Sequence, residues 1–123
     1  MPLVKIEIFR GQSAEYKSKL ITSVTQGLDA SLSVPSDKLT QRIYELDKEH
    51  FITPPGKSDK FTVIEIIMFP GRDDVLKKSA ISEITRLLGD SPGIPPNDVY
   101  IIMEERTKEN WGSGGLQGTE FAK

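Results

Sequence analysis

The chain has 123 residues, with 16 Lys and Arg against 18 Asp and Glu, so its formal net charge is −2. This balance lacks the basic excess that neutralises phosphates, and no apolar run reaches the roughly 20 residues of a membrane span, so neither nucleic acid nor a membrane is an expected partner. Cysteine is absent and His50 is the single histidine, which excludes disulfides and thiolate sites and leaves too few imidazoles for a typical metal centre. With no signal-peptide core at its start, the chain is expected to be a single cytoplasmic domain.

The chain is an internal repeat with an offset of 60 positions. Aligning residues 1–51 with residues 61–111 without a gap gives twelve identities, whereas ordinary composition would give about three. The identical pairs are Ile6/Ile66, Phe9/Phe69, Gly11/Gly71, Lys17/Lys77, Ile21/Ile81, Thr25/Thr85, Leu28/Leu88, Ser31/Ser91, Pro35/Pro95, Glu45/Glu105, Lys48/Lys108 and Glu49/Glu109.

The first unit reads as strand, helix, strand. Residues 3–9 alternate between apolar and charged side chains, which is the period of a strand with one buried face. Ser13 is a plausible N-cap, and an apolar stripe with a spacing of four residues then predicts a helix. The stripe comprises Tyr16, Leu20, Val24 and Leu28, joined by Ile21. After Val34 and Pro35, residues 39–45 predict the second strand.

The second unit repeats this order. It predicts a strand over 61–69, an N-cap at Asp73, a helix through Leu88 and a strand over 99–105. A polar connector rich in proline and glycine joins the two units. Residues 112–123 form a glycine-dense, loop-like segment, and Trp111 immediately before it suggests that this segment docks on the domain.

Each crossover helix implies two parallel strands, so two units predict a four-stranded sheet with both helices on one face. Residues 63–68 are almost continuously apolar, as expected of a strand that is covered on both sides. Because two helices cover only one face, the sequence predicts that the other face packs against further copies of the chain.

The reactive inventory is small, and its unusual member is Pro2. Removal of Met1, which is common before proline, would expose a secondary amine at the start of a core strand. A free α-amino group has a pKa near 8, and an apolar pocket or a nearby cation lowers that pKa towards neutrality, where a general base works best. If Met1 is retained, the Pro2 nitrogen is an amide and cannot act as a base. His50 is expected to be a solvated or backbone-bonded side chain, with a general-base role as the alternative.

The opening Met-Pro-Leu-Val-Lys-Ile-Glu-Ile, followed by Gly-Gln-Ser-Ala-Glu-Tyr-Lys over residues 11–17, resembles the start of the tautomerase superfamily, the 4-oxalocrotonate tautomerase-like proteins. Those enzymes are built from β-α-β units of this length and use an amino-terminal proline. The resemblance covers nearly the whole chain. With two fused units, the chain is similar to malonate semialdehyde decarboxylase, to cis-3-chloroacrylic acid dehalogenase and especially to the uncharacterised two-unit tautomerase-like proteins. It implies an α+β fold with a mixed four-stranded sheet.

The resemblance also implies a set of site residues. Pro2 matches the catalytic proline, Arg72 matches an arginine that binds the substrate carboxylate, and Trp111 matches an aromatic wall before a Gly-x-Gly-Gly tail. The first unit has Gln12 at the arginine position, and the second has Thr62 at the proline position, so the units are complementary. Each chain would supply one site, a family-like homotrimer would have three, and no cofactor is implied.

Three departures from the family pattern bear on the reaction. Where the decarboxylase pattern has paired arginines flanking a proline before helix 2, only Arg72 is present here, after Pro70 and Gly71. The decarboxylase-type aspartate position is Lys38 here, with Asp37 just before it. A strand-2 arginine of single-unit tautomerases corresponds to Thr40, which leaves Arg42 as a weak second carboxylate ligand or a member of a structural ion pair. Tautomerisation of a small 2-oxo acid is therefore the simplest reading. The alternatives are a decarboxylase or a hydratase-dehalogenase in which Asp37 activates water, or an inactive trimeric scaffold.

Overall fold

The computed structural model describes residues 2–122, so Met1 and Lys123 lie outside it. The elements in chain order are β1 (Leu3–Phe9), α1 (Ala14–Leu32), β2 (Thr40–Leu46), β3 (Thr62–Met68), α2 (Asp74–Asp90), β4 (Val99–Glu105), β5 (Gly112–Ser113), β6 (Leu116–Gln117) and α3 (Gly118–Phe121). Single 3₁₀ turns precede β2 and β4 and follow each of these strands. Across residues 2–122, no helix combines the length and apolar character needed to cross a membrane.

The four long strands form one mixed sheet in the order β2-β1-β3-β4. Within each unit the two strands are parallel, and the units meet through the antiparallel pair β1 and β3. Lys5 and Glu65, which are repeat equivalents, lie opposite each other in that pair, with Nζ and Oε2 3.8 Å apart. The two units are therefore related by an approximate twofold axis through this pair, which confirms the repeat predicted from the sequence.

The helix starts follow from local chemistry. The Ser13 side chain accepts a hydrogen bond from the Tyr16 amide at 3.0 Å, and the Asp73 side chain accepts one from the Leu76 amide at 2.9 Å. Both predicted N-caps are therefore confirmed, because each satisfies an amide that the first helical turn leaves unpaired. Helix α2 extends to Asp90, two residues beyond the predicted end, and β2 begins and ends one residue later than predicted.

Both long helices pack on the same face of the sheet, as predicted. The core comprises alternate residues of the two central strands and the inward stripes of the helices, chiefly Val4, Ile6, Ile8, Ile64, Ile66, Met68, Leu20, Val24, Leu28, Ala80, Ile84 and Leu88. Repeat-equivalent ion pairs tie each helix to its unit's second strand. Lys17 binds Glu45 and Lys77 binds Glu105, with Nζ to Oε1 at 3.0 Å in both cases.

The opposite face of the sheet is uncovered in a single chain. Val63 and Ile67 are half-buried there, and Tyr44, Tyr100 and Ile102 are exposed. The sequence predicted that β3 is buried on both sides, but within one chain only its helix side is buried.

The C-terminal segment is more ordered than its glycine content suggested. The predicted loop is wrong for most of it, because β5 and β6 form a short antiparallel hairpin and α3 follows directly. Gln117 and Glu120 cap α3 reciprocally, and the Gly118 amide donates to the Trp111 carbonyl at 2.8 Å. The predicted docking next to Trp111 is confirmed, since local capping and this backbone contact hold the segment in place.

Candidate active site

Pro2 lies at the edge of the sheet where β1 begins. It is buried, and its carbonyl accepts a hydrogen bond from the Thr40 amide at 3.3 Å. Because β1 and β3 are antiparallel, with Leu3 opposite Ile67, the start of β1 lies beside the end of β3. The backbone of Pro2 is therefore held by the sheet, whereas Met1, on whose removal the free amine depends, is outside the described residues.

Arg72 belongs to the same edge, because β3 leads into it. A turn at Gly71, whose φ is +129°, brings the chain from β3 to Arg72 just before the N-cap of α2. The positive φ is readily reached by glycine, which has no side chain to clash. Arg72 is half-buried and donates from Nη2 to the Leu32 carbonyl at 3.5 Å. Its guanidinium thus lies at the C-terminal end of α1, where helix carbonyls lack partners and a cation is favoured.

Trp111 reaches this edge from the last strand. Strand β4 is parallel to β3 and ends at the same side of the sheet, and the chain turns back after Arg106. The indole Nε1 donates to the Arg106 carbonyl at 3.0 Å, and the ring packs edge-on against Phe69 with centroids 5.0 Å apart. These contacts satisfy the indole N–H and fix the ring, so Trp111 is a half-buried aromatic wall.

The other two predicted ligands occupy different positions. Asp37 is exposed in the 3₁₀ turn Ser36–Lys38, which immediately precedes β2 at the Pro2 edge. Arg42 is exposed on the sheet face that points away from the helices, opposite Lys5 in the neighbouring strand. Among residues 2–122 it has no carboxylate within ion-pair distance, and its guanidinium lies 5.6 Å from the centre of the Tyr44 ring. The suggested ion pair of Arg42 is therefore wrong for a single chain, and the structure does not bring Arg42 together with Arg72.

His50 lies at the far edge of the sheet. It is exposed in the turn Lys48–His50, and its amide donates to the Asp47 carbonyl at 2.8 Å. Because β2 runs away from the Pro2 edge, the turn that follows it cannot place this imidazole near Pro2. The alternative of a general base at His50 thus has no support from the position of the residue. In the part of the chain that the structure describes, no group of His, Asp and Glu is arranged to hold a metal ion.

Sequence reasoning missed two features. Phe69, the ring that supports Trp111, was visible only as one of the repeated identities. A cleft of about 360 Å³ lies at the far edge instead of beside Pro2, and its lining comprises Phe9, Arg10, Lys48, Thr53, Lys57, Ser58 and Asp59. Five of these seven residues come from the connector between β2 and β3, whose conformation no periodicity predicts.

The arrangement at the Pro2 edge has a definite chemical capacity. Arg72 can bind a carboxylate through two parallel N–H···O bonds, since the contact with Leu32 uses only one of its five donors. Trp111 presents a half-buried indole at the same edge. A free amine on Pro2 would then lie on a rigid strand beside the bound acid, which is suited to moving a proton.

Two family models match the chain. Both are described as tautomerase enzymes, and they match residues 38–114 and residues 2–58. Together they cover both repeats. The first alone spans more than half of the chain.

The chain is similar to curated relatives of two different lengths. The probable tautomerase YusQ of Bacillus subtilis is 25% identical over 119 residues, which are 93% of this chain and 94% of that protein. The 2-hydroxymuconate tautomerase of Comamonas testosteroni is 34% identical over 59 residues, which are 48% of this chain and 94% of that enzyme. The shorter relative thus corresponds to one repeat and the longer one to both.

Solved structures agree on the fold. A wild-type fused 4-OT, described as an asymmetric trimer, superposes with a TM-score of 0.85 and 19% identity, covering 98% of this chain and 99% of the other. FG41 malonate semialdehyde decarboxylase superposes with a TM-score of 0.83 and 23% identity, covering 91% and 88%. At these identities the likeness establishes the architecture.

Proposed function

This chain belongs to the tautomerase superfamily, as a member with two fused β-α-β units, and from that premise we propose that it is a cofactor-independent tautomerase of small 2-oxo acids with Pro2 as general base. The reaction would interconvert the enol and keto forms of the acid. The name of the YusQ relative and that of the 2-hydroxymuconate enzyme support the reaction class, and the residues at the Pro2 edge support the roles.

One observation carries the proposal. The antiparallel pairing of β1 with β3 puts the first residue of one repeat and the Gly-Arg turn of the other at a single edge of the sheet. A parallel pairing would have placed Pro2 and Arg72 at opposite ends. The first repeat supplies Pro2 and the second supplies Arg72, so one chain combines two groups that neither repeat has by itself.

In the proposed reaction, Arg72 holds the substrate carboxylate and so fixes the adjacent enol beside Pro2. The Pro2 nitrogen takes the proton of the 2-hydroxyl group while the C2 carbonyl forms. The protonated amine then returns a proton to C3, so that no proton is gained or lost overall. Arg72 also disfavours protonation of the amine by its positive charge, which keeps the base available at neutral pH.

The Leu32 carbonyl gives Arg72 its orientation. A guanidinium bound to that carbonyl through Nη2 can still present its remaining N–H groups to an acid. This contact also joins the end of α1 to the residue just before α2. The position of the Arg72 guanidinium therefore depends on how the two helices pack. The contact therefore supports a binding role for Arg72 and is compatible with a structural one.

The proposed assembly is a homotrimer with three such sites. The uncovered sheet face presents Tyr44, Tyr100 and Ile102 together with half-buried Val63 and Ile67. A face of this composition is typical of one that is covered in an oligomer. The fused 4-OT of the same fold is described as a trimer, which is the basis for choosing this number.

The test is ketonisation of phenylenolpyruvate by protein whose N-terminus has been identified by mass spectrometry. We expect Pro2→Ala and Arg72→Ala each to lower kcat/KM by about a hundredfold or more, because one removes the positioned secondary amine and the other the carboxylate ligand. Arg86→Ala is the matched control, since Arg86 is an exposed α2 arginine that pairs with Glu83. Full activity of Pro2→Ala, or no activity in protein with a free Pro2, would refute the assignment.

A decarboxylase or hydratase is the second candidate, because Asp37 lies at the Pro2 edge and a decarboxylase shares the fold. In that reading the Asp37 carboxylate would activate water. Asp37→Asn separates the two candidates: a tautomerase should retain its ketonisation rate within about twofold, since no step above uses that carboxylate. An inactive scaffold is the remaining alternative, and it predicts no turnover even when Pro2 is the first residue.

A further inference from the structure

The cleft at the far edge of the sheet is separate from the Pro2 site. Its floor is formed by Phe9 and Arg10 at the end of β1, whereas Pro2 precedes the start of that strand. Seven strand residues separate them, which corresponds to about 23 Å. The volume of about 360 Å³ falls within the range of small-molecule sites.

The cleft exists because the two repeats continue differently after their second strand. In the second unit, the hairpin and α3 cover the turn at Lys108, whose Nζ donates to the Ala122 carbonyl at 2.8 Å. In the first unit, Pro54 and Pro55 take the places of Gly114 and Gly115, whose φ angles are +59° and +83°, and because proline cannot adopt a positive φ the connector cannot form the same hairpin. It is anchored on the second unit instead, where Ser58 donates to Asp98 from its amide at 2.9 Å and from its hydroxyl at 2.5 Å.

The charges around the cleft favour an anion. Its lining has three cations, Arg10, Lys48 and Lys57, and one carboxylate, that of Asp59; because Arg10 is paired with Asp47, the cations available to a ligand are the two lysines. The Arg10 guanidinium is held by Asp47, with Nε to Oδ1 at 2.7 Å, and this ion pair lowers the pKa of Asp47. The side chain is thereby oriented while other N–H groups stay free for a ligand.

Neither lysine is in an ion pair within residues 2–122, although the Asp59 carboxylate shares the lining with them. Lys57 is held by neutral groups of Asn97, with Nζ 2.7 Å from the carbonyl oxygen and 3.1 Å from Oδ1. Lys48 is exposed, and within residues 2–122 it has no carboxylate at ion-pair distance. Both ammonium groups can therefore act on a bound anion.

One aromatic ring, that of Phe9, lines the cleft, and two further rings pack behind it. The Phe9 ring packs on Phe51 with centroids 4.7 Å apart, and Phe51 packs on Phe61 at 5.7 Å. A ligand with an acidic head and an apolar body matches this combination of cations and rings.

This edge has no counterpart of the Pro2 amine. Thr62 is the repeat equivalent of Pro2, and its nitrogen is a peptide amide. Its hydroxyl donates to the Lys60 carbonyl at 2.8 Å.

We propose that the cleft formed by the end of β1 and the connector is a second, non-catalytic site that binds a small monocarboxylate with an apolar body. Lys48 and Lys57 bind the carboxylate and Phe9 contacts the body. This site is independent of the proposed tautomerase activity, because it shares no residue with the Pro2 edge.

The test is an amide NMR titration of the full chain with phenylacetate in the Arg72→Ala background, which removes the proposed carboxylate ligand at the other edge. We expect saturable shifts at the amides of Arg10, Lys57 and Ser58 with a Kd in the millimolar range or below. Lys48→Met should weaken binding by about tenfold, whereas Lys78→Met, which removes an exposed lysine of α2, should leave it unchanged.

Phenylacetamide provides a comparison that does not depend on a variant, since it has the same shape without the charge. It should bind at least about tenfold more weakly than phenylacetate if the cations recognise the carboxylate. The proposal is overturned if the cleft amides do not shift, or if the acid and the amide bind equally. Equal affinities of the Lys48→Met and Lys78→Met proteins would also overturn it.

Discussion

Gly27 of α1 packs closely against Ile84 of α2. A Cβ atom added there would be 2.6 Å from Ile84 Cγ1 and 3.2 Å from Ile84 Cα, and Ile84 is fully buried. Gly89 of α2 is different, because its nearest neighbour would be the Ile94 carbonyl oxygen at 3.8 Å, an ordinary contact. The sequence predicts one long helix that contains Gly27 and another that ends at Leu88, just before Gly89, and it cannot distinguish the crowded position from the free one.

These two positions should respond in opposite ways to alanine. Gly27→Ala is expected to lower the free energy of unfolding by about 1 kcal/mol, because overpacking at Ile84 outweighs the better helix propensity of alanine. Gly89→Ala should raise it by a few tenths to about 1 kcal/mol, since only the propensity changes. Urea unfolding at a single protein concentration measures both, and destabilisation by Gly89→Ala as large as by Gly27→Ala would contradict the packing argument.

The strands and long helices could be predicted from the sequence because their signals are local. Alternation along β1, the apolar stripe of α1 and the cap at Asp73 each lie within one element, and all three are present in the structure. The antiparallel pairing of β1 with β3 joins strands about 60 residues apart in the sequence. Local patterns within one strand or helix do not predict such a pairing. The hairpin after Trp111 was missed because its glycines read equally well as a loop.

The C-terminal segment is expected to position Trp111. A Cβ atom on Gly118 would overlap the Lys108 carbonyl and lie 3.1 Å from Trp111 Cβ, so Gly118→Ala should undock α3. Trp111 is the only tryptophan of the chain, and its fluorescence should therefore shift to longer wavelength as the ring becomes more exposed. Gly112→Ala is the control, because its Cβ would meet nothing closer than the Leu116 carbonyl oxygen at 3.8 Å. Unchanged emission from Gly118→Ala would mean that the segment does not hold the ring.

At the scale of the whole molecule, the duplication produces a chain with two unlike ends. The approximate twofold axis through Lys5 and Glu65 relates the edges, yet one carries Pro2, Arg72 and Trp111 and the other carries the cleft beside Thr62. The resemblance to the family, applied to both repeats, predicted this complementarity through Gln12 against Arg72 and Thr62 against Pro2. It could not predict the cleft, which depends on how the connector crosses to Asp98.

The uncovered sheet face is where the proposed trimer can be tested. Tyr100 and Ile102 are 54% and 37% exposed there, and replacing Ile102 with lysine would place a charge among the apolar side chains of that face. If the protein is the proposed trimer, we expect Ile102→Lys to shift it towards monomer in light scattering, because burying an unpaired charge is costly. Val75→Lys, at a 75% exposed position of α2, should leave the trimer intact. A wild-type monomer at micromolar concentration would refute the assembly.

The pH dependence of phenylenolpyruvate ketonisation, measured on protein whose first residue is confirmed as Pro2, tests the central claim most directly. A protonated amine cannot accept the enol proton, so kcat/KM should be low in acid and rise through the pKa of Pro2. That pKa should lie below the usual value near 8, because Arg72 disfavours the protonated form. We predict an inflection near neutrality that disappears when the Pro2 amine is covalently blocked. A rate that is independent of pH from 5 to 9, or that survives the block, would contradict the role of Pro2.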